Sequence, residues 1–157
     1  MKHDLCLLVV GLLLVWSCSK SDQESPLECS LSASINDTAW CGQVFEIFQD
    51  DQNHLVINAS RETGRNQYDV DQITIYVPDF NGDGTYQLKD EGGVYRKWCC
   101  GDLILALAIL DVENNDSGQV IIETFDTETK EIRGTFNFTA SGENHLNVHG
   151  EFFGTKK

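Results

Sequence analysis

The feature that most constrains this chain is a stretch of strict alternation near its carboxyl end, from Gly118 to Phe153. Ile132, Gly134, Phe136, Phe138 and Ala140 fall on one parity, and Arg133, Thr135, Asn137 and Thr139 fall on the other. A strand sends successive side chains to opposite faces, so this pattern predicts a strand buried on one side and wet on the other. Leu146, Val148, Gly150 and Phe152 repeat the rule against Asn147, His149 and Glu151, with residues 141–144 reading as the turn between the two segments. Two hairpins therefore close the chain, as an antiparallel sheet with one solvated face requires.

The same grammar recurs upstream in shorter pieces. Leu31, Ala33 and Ile35 alternate with serines as a first strand, which Asn36-Asp37 turns toward Ala39-Trp40-Cys41. Strands are predicted over residues 44–49, 54–60, 72–77, 85–88, 94–99 and 120–126. Residues 103–110 form an unbroken apolar run whose length predicts a strand buried on both faces, with a short helix as the alternative. The expected fold is all-β: an antiparallel β-sandwich or barrel of about ten short strands. At 157 residues the chain has room for one such domain with its own core.

The amino terminus is different in kind. Lys2 and His3 precede an apolar run from Leu5 to Trp16, too short to span a bilayer and followed at once by small and polar residues. The run ends Leu14-Val15-Trp16-Ser17-Cys18, which resembles the lipobox of bacterial lipoprotein precursors, although Trp16 departs from the usual occupant of its position. The resemblance implies a signal peptide at 1–17, cleavage before Cys18, and fatty acylation (palmitate-type chains) of the Cys18 sulfur. Each buried CH₂ contributes about 0.8 kcal/mol, so two or more acyl chains hold a protein firmly where one binds reversibly. Residues 18–27 are polar, contain a proline and lack periodicity, as befits a tether, and leave 28–157 as the single β domain. Lysine and acidic residues beside the anchor resemble leaders of Bacteroidetes lipoproteins displayed on the outer membrane.

Acidic residues outnumber basic ones by 25 to 11, for a formal net charge of −14, so a nucleic-acid backbone or an anionic bilayer would repel this surface and neither is an expected partner, the lipid anchor being the contact with membrane. Cys29, Cys41, Cys99 and Cys100 remain after processing, in an exported chain where disulfides persist. Since neighbours on a strand face opposite ways, Cys99 and Cys100 are each expected to bridge to a distant partner, which pairs them with Cys29 and Cys41. No Cys-x-x-Cys knuckle is present to suggest zinc. His54, His145 and His149 read as solvent-face residues, the last two about 13 Å apart if both are on a strand. No nucleophile elbow, phosphate loop or metalloprotease motif occurs.

One stretch has metal-ligand spacing. Asp79, Asn81 and Asp83 open a calcium-loop pattern that Thr85, Gln87 and Asp90 would continue, with strands where an EF-hand has helices. The competing reading is a hairpin turn whose Asn81-Gly82 and Asp83-Gly84 pairs supply positive φ angles, with no cofactor.

Asn36 to Trp40, Gly84 to Leu88, Gly118 to Thr124 and Ile132 to Ala140 together resemble a family of small Bacteroidetes lipoproteins known as a domain of unknown function. The resemblance implies a fold and an address and carries no catalytic residue. The expected function is an outer-membrane, lipid-anchored, non-enzymatic β domain facing the periplasm or the outside, serving as a binding or structural accessory to an unknown protein or small molecule. The alternatives are a small-ligand binder with an apolar pocket lined by Trp40, Trp98 and Phe136 to Phe138, and a secreted hydrolase.

Overall fold

The computed structural model describes residues 29–64, 69–100, 103–142 and 145–157. Its elements are β1 (Leu31–Ile35), β2 (Thr38–Gln49), β3 (Leu55–Glu62), β4 (Val70–Val77), β5 (Gly84–Gln87), β6 (Gly93–Cys99), β7 (Leu103–Ile109), β8 (Gly118–Phe125), β9 (Glu131–Gly142) and β10 (Leu146–Thr155), with one 3₁₀ turn at Val112–Asn114. Neighbours pair in the order β10-β1-β2-β3-β4-β6-β7-β9, and β9 pairs again with β10. The result is an eight-stranded antiparallel barrel, extended from β9 by β8 and then β5.

Sandwich and barrel turn out to be one object, because two long strands each serve both sheets. The first half of β2 pairs with β1 (Thr38 to Gly42) and the second with β3 (Gln43 to Gln49), with an extra residue between Val44 and Glu46. That bulge bends the strand and shifts the buried parity from Trp40 and Gly42 to Ile47. Likewise β9 runs with β10 from Glu131 to Ala140 and meets β7 through Ser141 and Gly142. Those two residues belong to a strand, where the sequence suggested a turn.

The inward parity of each strand fills the barrel. Leu31, Ile57, Ile75, Leu110, Val148 and Phe152 are wholly or almost wholly buried, and Phe136 lies 6.2 Å from Phe138 and 6.5 Å from Phe152 between ring centroids. Burying each such side chain contributes about 1.5–3 kcal/mol. Gly93 makes room for this stack, since a Cβ there would lie 2.6 Å from the Phe138 ring. Asn36 and Asp37 both have positive φ, 46° and 64°, so the predicted β1–β2 turn is of the primed type that matches strand twist.

Two further expectations are corrected. Residues 103–109 are a strand, but not one buried on both faces: Leu103 is 59% exposed, Ile104 51%, Leu105 46% and Leu107 37%. The physical reason is that β9 covers the edge of β7 only at Ala108 and Ile109, so the preceding half of β7 projects with β6 past the closed part of the barrel. The 79–84 stretch is a turn but not a hairpin. Its flanking strands do not pair with each other; β4 pairs with β3 and β6, while β5 pairs with β8 on the outer extension.

Candidate functional site

Polar chemistry collects at one end of the barrel, where β1 begins and β3 and β6 finish; this end is called the mouth below. On β3 the inward series Leu55, Ile57, Ala59 continues to Arg61, and on β4 the inward series Val77, Ile75, Ile73 continues to Asp71. Arg61 and Asp71 are direct cross-strand partners. Arg61 donates to Asp71 Oδ2 from Nε at 3.3 Å and from a terminal nitrogen at 3.0 Å. Asp71 is 1% exposed while the Arg61 side chain is 35% exposed, so the pair points a cation toward solvent and hides its anion.

Trp40 closes the other side. Its ring lies under the Arg61 guanidinium, 5.5 Å from centroid to Cζ, a cation–π geometry. It folds beneath Gly42, where a Cβ would come within 2.2 Å of the ring. Tyr95, cross-strand from Ile73, completes the group. Burial of its phenol, with the Asp71 carboxylate beside it, pushes Tyr95 up to about 12, and Arg61 offsets part of that rise. Trp40 Nε1 and Asp71 Oδ1 are buried and have no hydrogen-bond partner among the described residues. A buried polar atom left unpaired costs about 1–3 kcal/mol, so two at one mouth mark a place where outside chemistry would be welcome.

The rim of the mouth carries sulfur. Cys29 is bonded to Cys41, which overturns the expectation that both would reach Cys99 and Cys100. Those two instead face one another with their sulfurs 2.8 Å apart, because β6 ends at Cys99 and Cys100 turns into the left-handed region at φ 59°, where strand alternation no longer applies. The Cys100 amide donates to Asp69 Oδ1. Contact with Cys100, then partial burial and the Asp69 charge, raise the Cys99 thiol above its ordinary range. Among the described residues, Asp69, Cys99 and Cys100 are the one group of three such side chains with ligand atoms within 4.8 Å of one another. That is one donor short of a closed tetrahedral zinc site.

Beside the mouth an open groove of about 740 Å³ crosses β9, β10, β1 and β2. Two cross-strand rows edge it: Thr135, Glu151, Ser32 and Cys41 form one, and Asn137, His149, Ser34 and Ala39 the other. Trp40, Arg61 and the Cys29–Cys41 bridge border its mouth-side end. The expected aromatic pocket is not assembled as foreseen. Trp40 and Phe136 border this groove, Phe138 is core, and Trp98 lies on β6 opposite Val70 and Ile104.

The remaining candidates are engaged in the fold. Tyr86 donates its hydroxyl to Asn81 Oδ1 at 2.8 Å, Lys89 pairs with Asp79 at 3.4 Å, and Asp90 Oδ1 accepts from the Val112 amide. Thr85 is in β5 opposite Ile121. His54 meets Asp50 at 3.0 Å; although partial burial opposes it, the His54 and Gln52 contacts hold the Asp50 carboxyl below its ordinary range. His145 reaches buried Asp116 at 3.5 Å, and His149 is exposed in the groove wall. Cys18 lies outside the described residues. No helix among the described residues is long and apolar enough to cross a membrane.

Arg61, Asp71 and Tyr95 were missed in the sequence, yet a signal for two of them exists: each is a charged residue continuing the buried parity of its strand. Asp69 had no such signal, because only the fold brings it to the Cys99–Cys100 turn. Comparison with curated proteins and with solved structures finds no match to this chain. A family model does match residues 28–154, from just before the Cys29 bridge through all of the barrel but the last residue of β10. By that match, the chain belongs to the family described as a domain of unknown function, DUF6252.

Proposed function

We propose that this β-barrel is a lipid-anchored, non-enzymatic binding module of the bacterial outer membrane, held by acyl chains on Cys18, and that its mouth receives a small ligand. The observation that carries the binding half is the Trp40–Arg61–Asp71–Tyr95 group: a half-exposed guanidinium, fixed by a buried carboxylate and an indole face, borders an open groove beside two unpaired buried polar atoms. Such a site suits a ligand with a hydrogen-bonding head and an apolar body. The anchor half rests on the Leu14 to Cys18 lipobox and the polar tether that follows.

Native mass spectrometry of the protein drawn from its own envelope tests the first half. A bound small molecule present in wild type and absent in Arg61→Met supports the mouth as its site; a bare barrel in both refutes it. For the second half, Cys18→Ser should abolish the acyl mass on the mature protein and release it from membranes or leave an unprocessed precursor. A variant still membrane-bound with the wild-type mass increment ends that idea.

A further inference from the structure

The β6–β7 hairpin leaves the barrel at the mouth end and presents Leu103, Ile104, Leu105 and Leu107 to solvent. Contiguous apolar exposure of this kind marks an interaction surface. The same end is where the chain enters the domain: Cys29, bonded to Cys41, borders the groove beside Arg61, and Arg61 is cross-strand from Asp71, which pairs in turn with Lys97 of β6. Ten residues separate Cys18 from Cys29, so a tether of at most about 40 Å joins the acylated cysteine to this end of the barrel. In an anchored barrel the end tied to the bilayer is therefore the end from which the apolar half of β7 projects.

We infer that the projecting half of β7 docks on the surface of the lipid bilayer that holds the acyl chains, with Leu103, Ile104, Leu105 and Leu107 entering the interfacial layer. A second copy of the chain is a poorer occupant, since bringing together two chains that each carry a net charge of −14 is opposed by their own repulsion. Side chains standing on both faces of one short hairpin suit insertion as a wedge, whereas a flat partner would cover one face. The inference rests on the lipid-anchor reading for its orientation, and Trp98 supplies a test that separates the two, because it stands opposite Ile104 on the same hairpin.

The acylated protein is reconstituted in phosphatidylcholine vesicles with brominated acyl chains, in a Trp40→Phe background so that Trp98 reports alone after Trp16 has been removed with the signal peptide. Docking is expected to quench Trp98 and shift its emission to shorter wavelength, and the pair Leu103→Ser with Leu105→Ser is expected to abolish both effects while the acyl mass on Cys18 and the far-ultraviolet circular dichroism stay unchanged. Unquenched Trp98 in fully acylated protein overturns the docking and leaves the anchor standing. Quenching that persists in the non-acylated Cys18→Ser variant upholds the docking independently of the anchor. A concentration-dependent dimer that shields Trp98 from the brominated lipid assigns the surface to a second copy and overturns the inference.

Discussion

Asp71 is an anion almost wholly removed from water, and its setting shows how the mouth is held. Arg61 supplies two donors to one of its oxygens, but the other remains unpaired among the described residues, so the pair is built for position more than for stability. Tyr95 reports on it. Asp71→Asn should bring the Tyr95 phenol down from about 12 toward its ordinary value while leaving it raised, since burial is the larger cause; ultraviolet titration of the phenolate measures this. A phenol whose folded pKa exceeds its unfolded value contributes stability that is present below about pH 10 and lost as pH rises toward 12, so Tyr95→Phe should flatten the alkaline fall in melting temperature over that window. Gly42→Ala should cost about 1–3 kcal/mol by overpacking against the Trp40 ring, read by denaturant melts, with Trp40 emission moving to longer wavelength as the ring is displaced. At this scale the sequence was legible where parity ruled and silent where a single torsion decided. Nothing in the adjacency of Cys99 and Cys100 announces that Cys100 takes a positive φ, and that one angle turns two divergent thiols into facing ones.

Among the elements, the β1–β2 hairpin is the most constrained, with a primed turn at Asn36-Asp37 and the Cys29–Cys41 bridge at its open end. A bridge with a sequence separation of 12 restrains the unfolded chain by about 3 kcal/mol in the loop-entropy account. Denaturant melts with and without reductant, in a Cys99→Ser, Cys100→Ser background that isolates this bridge, should differ by about that amount; coincident curves would show that it stabilises nothing. The ten strands themselves were readable from alternation, turns and length, because in an antiparallel sheet burial imprints period two on the sequence. The β7 strand was the exception in its environment. An unbroken apolar run says that its surroundings are non-aqueous and does not say whether protein provides them. Pairing decided it, since β9 reaches only Ala108 and Ile109, and pairing with a strand more than thirty residues away is not written in local composition.

For the molecule as a whole, closure depends on seams of very unequal length. β9 and β10 are joined along ten residue pairs, from Leu146 opposite Ala140 to Thr155 opposite Glu131, whereas β7 and β9 meet at two, Ala108 with Gly142 and Ile109 with Ser141. A barrel opens where the fewest bonds must break, so the first local opening should part β7 from β9 and let the β6–β7 hairpin swing away from the mouth. The fold elsewhere limits such exposure: the free edge of its outer extension is β5, only four residues long, as suits an edge kept from pairing with other chains. Charge acts on the same seam. A net charge of −14 favours expansion, and salt screens it over a Debye length of about 10 Å at 0.1 M. Amide hydrogen exchange should therefore find the β7–β9 amides the least protected of the barrel pairings and the β9–β10 amides among the most protected, with added salt slowing exchange at the seam more than in the β9–β10 ladder. Equal protection along both edges of β9 would mean that the barrel opens as one unit, and that the β6–β7 hairpin reaches its surroundings only by the exposure it already has in the closed state.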